Sequence, residues 1–147
     1  MRAETERRFL QMAMGSFCLV PLIAGASGMI EGPAMLRGVG PPVAIDLDSH
    51  YRYLSGLLFG IGIGFALCIR GIERHGATMR VLAAAVVLGG LARLIALASF
   101  GAPGGGHLFG LGMELGAVPL ILLWHMRVVR RCREAGDCAP PSSTISP

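Results

Sequence analysis

Arg93 and Glu114 stand inside apolar runs, where charged residues are rare, and they are the strongest chemical signal in the sequence. A guanidinium facing a carboxylate can form a two-pronged ion pair, hold an anionic head group or take part in proton movement. Arg93 comes seven residues before Phe100 and Glu114 seven residues after His107, either side of the breaker-rich turn Gly101–Gly106. At about 1.5 Å per helical residue, each lies roughly 10 Å from that turn, so two antiparallel helices would bring them together. A lone charge at this depth costs roughly 2.5–3.5 kcal/mol even on the lenient insertion scale, and a buried ion pair is therefore expected. Such a pair either sets helix register or marks a ligand or proton path.

A second polar group precedes another apolar run. Asp48, His50, Tyr51, Arg52 and Ser55 form a lip that opens onto the glycine-lined stretch Leu57–Gly64. His50 and His107 lie near the same face and could approach each other, but lone interfacial histidines are commoner than haem or metal ligands. The sequence contains no nucleophile–base spacing, phosphate loop or HExxH, and the glycine turn lacks the Lys-Ser/Thr of a P-loop. No catalytic residue, metal ligand set or cofactor is identifiable. The pattern points away from an enzyme without excluding one.

These residues need helices in a membrane to position them. The chain has 147 residues, enough for one domain; 53% are hydrophobic, 15% charged, and the mean hydropathy is +0.62. A soluble domain would carry about 25% charged residues. All 13 basic residues are Arg, and they cluster at the ends of apolar runs, which argues against a nucleic-acid face. Four apolar runs, at about 9–30, 53–69, 81–100 and 107–125, are long enough to cross a bilayer. The expected fold is all-α: a polytopic four-helix bundle over residues 1–130, followed by a flexible tail at 131–147, Arg-rich and then Pro/Ser-rich.

Pro21 should kink the first helix. Arg7-Arg8-Phe9-Leu10 approaches a twin-arginine signal, and Ala24-Gly25-Ala26 a cleavage site, but a retained first helix fits the spans that follow. The N-terminus, the 70–80 loop and the tail carry three, three and four arginines, against only Arg37 and Arg52 on the other side. By the positive-inside rule both termini are cytoplasmic, and Trp124 takes a belt position on that side. The four cysteines show no ligand spacing and are expected to be free thiols. Gly56, Gly60 and Gly64, and again Gly112 and Gly116, recur every four residues and should form helix-packing faces, within the chain or against another protein.

Asp48, Arg52 and Gly56, Arg93, Gly101 and Pro103, Glu114 and Pro119 together resemble a family of small bacterial four-helix membrane proteins carrying a domain of unknown function, over roughly residues 8–128. Members commonly have Asp in the turn where this chain has Ala102, so no turn carboxylate carries over. The resemblance supports the fold and implies no activity; the expected location is a bacterial inner membrane with both termini cytoplasmic.

Two function classes follow. The first is an accessory or stabilising subunit packed in the bilayer against other membrane subunits or a second copy. The second is a binding protein, transporter or lipid-modifying enzyme with an outer-leaflet pocket around Arg93 and Glu114. That pocket would take an anionic, amphipathic or quinone-like molecule, with Arg52 and Arg93 on the polar head.

Overall fold

The computed structural model describes residues 3–135; expectations for Arg2, Cys138 and the Pro/Ser end lie outside the described residues. Helix α1 spans Ala3–Glu31, α2 Ile45–Ile69, α3 Gly76–Phe100, α4 Gly105–Gly112 and α5 Val118–Ala135. A 3-10 turn, Gly32–Met35, follows α1, and a π turn, Met113–Ala117, joins α4 to α5 in one rod. The described residues thus form an all-helical membrane protein with four helices long and apolar enough to span a bilayer. In hydrocarbon no water can satisfy backbone N–H and C=O groups, so each span satisfies its own. α1 continues through Pro21 as a single helix.

The helices are longer than the apolar runs. α2 begins at Ile45, because Asp46 and Asp48 in its first turn meet the positive end of the helix dipole. α5 continues to Ala135, so Arg131–Ala135, expected in the flexible tail, is helical. His125, Val128 and Cys132 recur at three- and four-residue spacing and are buried on one face, which gives this polar segment something to pack.

α1 lies along α2 in the most extensive interface, α5 packs on α1 and α3, and α3 returns to α2. The main core, Leu10, Met14, Cys68, Ile72, Met79, Val128 and Cys132, gathers where α1 begins, α2 turns into α3 and α5 ends. Elsewhere apolar side chains such as Ile23, Leu88 and Leu120 are exposed. In a bilayer these meet lipid tails, which are as apolar as another helix. Cys18 and Cys68 are free thiols, but Cys132 is disulfide-bonded, which corrects the expectation of four free thiols. Missing metal spacing carries no information about thiol pairing.

Candidate functional site

Arg93 on α3 meets Glu114 at the end of the bundle that bears the glycine turn. Its Nε donates to Glu114 Oε2 at 3.0 Å, and its Nη2 to Oε1 at 3.1 Å. Its Nη1 donates to His107 Nδ1 at 2.8 Å. A guanidinium only donates, so Nδ1 must accept, and the neutral ring carries its proton on Nε2. The side chains are 34% and 18% exposed, so the pair is sheltered rather than sealed. Three of the five guanidinium N–H groups are engaged, and the carboxylate cancels the charge.

The chain builds this geometry with two local devices. Pro119 has no N–H, and its ring would press on the carbonyl four residues back in a regular helix. The π turn Met113–Ala117 lies just before it, closed by Val118 N–H on Met113 O, and Glu114 sits inside this wider turn. Single π turns are rare and recur at functional sites. Gly90 of α3 admits the turn: a Cβ there would lie 2.9 Å from Glu114 Cβ and 2.8 Å from Leu115 Cδ2. Gly110 leaves room for the guanidinium, 3.9 Å from where its Cβ would stand.

The lip residues are occupied with a different task. Arg52 Nε donates to Asp48 Oδ2 at 2.8 Å, while Nη1 donates to the carbonyls of Met29 and Ile30. Those carbonyls are among the orphan acceptors at the end of α1, so Arg52 caps one helix from the next. Gly32, at φ +66°, lets the chain turn beneath this group, where a Cβ would stand 2.6 Å from Asp48 Oδ1. Ser55 Oγ donates to Tyr51 O at 2.8 Å. His50 lies beside Tyr53, ring centroids 6.4 Å apart, while His107 is held by Arg93. Among the described residues no hydrogen bond or ion pair joins the Asp48–Arg52 group to the Arg93–Glu114 group. They belong to different helix pairs.

The glycine faces divide. Gly64 packs on Leu82, where a Cβ would stand 3.1 Å from Leu82 Cδ1, and a Cβ at Gly56 would lie 3.5 Å from Met29 Sδ. Gly60, Gly112 and Gly116 have nothing within 4 Å. The tightest approaches instead use Gly25, where a Cβ would stand 2.7 Å from Phe59 N, and Gly28, which faces Ser55. Gly28 and Gly32 have the same four-residue spacing as the glycines singled out in α2, and this was the signal that could have found them.

Two further polar residues escaped sequence reasoning. Glu6 is 7% exposed and receives Arg131 Nη1 at 2.8 Å, with Arg127 Nε 3.5 Å away. His125, 1% exposed, donates from Nε2 to Ile72 O at 2.7 Å, while its buried Nδ1 has no partner. His125 shares its spacing with Val128 and Cys132, a usable signal; Glu6, in a run of charges, gives none.

Residues 9–125 match the family model described as a domain of unknown function, DUF4345. Comparison with curated proteins and with solved structures gave no significant match.

Proposed function

We propose that this protein, which belongs to the family of the domain of unknown function DUF4345, is an accessory subunit that stabilises another membrane protein, or a second copy, by helix packing. The observation that carries this reading is the open space at Gly60, Gly112 and Gly116. Small residues at four-residue spacing let two helices approach closely, and the packing this allows is one of the forces that drive helix association in lipid. The neutralised Arg93–Glu114 pair supports it, because a paired, hydrogen-bonded charge holds register between α3 and the fourth span. The arginine asymmetry supports a bacterial inner membrane with both termini cytoplasmic.

The test is native mass spectrometry of protein drawn gently from its own membranes, beside Gly60→Leu and Gly116→Leu. The wild type should carry a stoichiometric polypeptide, and both variants should keep their helicity and lose it. A wild type that is always solitary in mild detergent and in nanodiscs sinks the reading.

One observation favours a second reading. Arg93 keeps two unengaged N–H donors on a side chain one-third exposed. An anionic, amphipathic or quinone-like head group could take these donors, with Glu114 as proton acceptor. In this reading the protein is a binding protein, transporter or lipid-modifying enzyme.

A further inference from the structure

At the opposite end of the bundle is a charge arrangement that neither the open glycines nor the Arg93–Glu114 pair uses. Arg127, Arg130, Arg131 and Glu134 of α5 line a cavity of about 200 Å³. Two of the arginines are held from behind, because the nearly buried Glu6 of α1 takes Arg131 at 2.8 Å and Arg127 at 3.5 Å. Among the described residues Arg130 makes no hydrogen bond or ion pair, and it is exposed. Three guanidinium groups against the carboxylates of Glu6 and Glu134 leave one net positive charge.

The same face of α5 is apolar on its other side. Leu120 and Leu123 are exposed, and at three- and four-residue spacing they stack in line with Arg127, Arg130 or Arg131, and Glu134. An apolar stripe thus runs out into a basic cavity. Acyl chains suit such a stripe, and a phosphodiester suits the cavity: it carries one negative charge, and its two free oxygens accept forked guanidinium N–H groups. A cluster of four arginines directly after a span, here Arg127, Arg130, Arg131 and Arg133, is the kind of sequence that attracts anionic lipid head groups.

We propose that the cavity binds an anionic phospholipid, its phosphodiester held by Arg127, Arg130 and Arg131 and its chains laid along Leu120 and Leu123. Glu6 is a positioning residue that aims Arg127 and Arg131, and Arg130 is the free donor. The cavity lies beyond the family match, which ends at residue 125.

Trp124 is the single tryptophan of the chain and lies about one turn before Arg127 and two before Arg130 and Arg131, so its fluorescence reports on this place. The full chain is reconstituted in phosphatidylcholine containing either brominated phosphatidylglycerol or brominated phosphatidylcholine at equal fraction. Quenching should be stronger with the anionic lipid. Its relative affinity should fall about fivefold in Arg130→Gln, the loss of one arginine's attraction at an anionic surface. It should rise in Glu134→Gln and stay unchanged in Arg74→Gln, an exposed arginine of the same end. Neither cavity variant touches the Glu6 pairs, and if either fails to fold, the wild-type comparison of the two lipids still decides. Equal quenching by the two lipids overturns the proposal, as does an Arg74→Gln loss as large as that of Arg130→Gln, which marks diffuse surface charge. Inorganic phosphate relieving the quenching beyond chloride of equal ionic strength would mark a free-phosphate site and overturn the lipid assignment.

Discussion

Arg93 shows how one residue can be both anchored and available. Bidentate contact with Glu114 and a third bond to His107 fix the guanidinium in a single orientation. Removing one partner of a buried pair leaves an uncompensated charge in a poor solvent, whereas replacing both with apolar groups of similar size is often harmless. Arg93→Met and Glu114→Leu should therefore each lower stability by about 2–3 kcal/mol, less than for a fully buried pair because Arg93 is partly exposed. The double variant should recover most of that loss in a thermal or denaturant melt. The same set separates the two functional readings. With a register-setting pair, cellular function returns with stability; with a ligand site, stability returns and function does not. Arg52 invites no such cycle for an interhelical ion pair, since its carboxylate partner Asp48 lies one turn back on the same helix and its Nη1 is given to the carbonyls that end α1.

At the scale of elements, the contact between α3 and the π turn is the tightest junction in the second half of the chain. Pro119 disfavours a regular helix, the π turn absorbs the misfit, and Gly90 leaves space for the wider turn. Gly90→Leu should force the two spans apart, since its side chain would meet backbone-anchored Cβ and Leu115 atoms with no room to shift. Overpacking of this kind costs typically about 1–3 kcal/mol, and the Arg93–Glu114 bonds would stretch with it. Gly112→Leu, in open space, should leave the melting temperature of the isolated chain close to that of wild type. A Gly90 variant as stable as the Gly112 variant would mean that the junction is looser than described.

The molecule as a whole is closed at one end. His125 ties α5 to the connection between α2 and α3 through Ile72 O, and Gln11 Nε2 ties α1 to the end of α2 through Ile69 O at 2.8 Å. Around them lies the main core. His125→Phe keeps the bulk but removes the donor, leaving a buried carbonyl unsatisfied at a cost of about 1–3 kcal/mol. The expected outcome is faster hydrogen exchange in the 70–76 connection and little change at the glycine-turn end. Uniform loss of protection along the bundle would show that the latch does not act locally.

Some of this was legible one residue at a time along the chain. Apolar run lengths and the positions of breakers determined four spans, because crossing hydrocarbon demands a minimum length and closed backbone bonding. Register arithmetic across a short turn placed Arg93 opposite Glu114, since rise per residue is a property of the helix and not of its neighbours. Rotation of each helix about its own axis is different, because it is settled only when side chains of separate helices compete for the same space. Tertiary packing therefore decided that Gly25, Gly28 and Gly90 take the close contacts while Gly60, Gly112 and Gly116 face outward. It also decided that Arg52 caps α1, that the polar lip and the Arg93–Glu114 pair stand apart, and that Glu6 and His125 are buried.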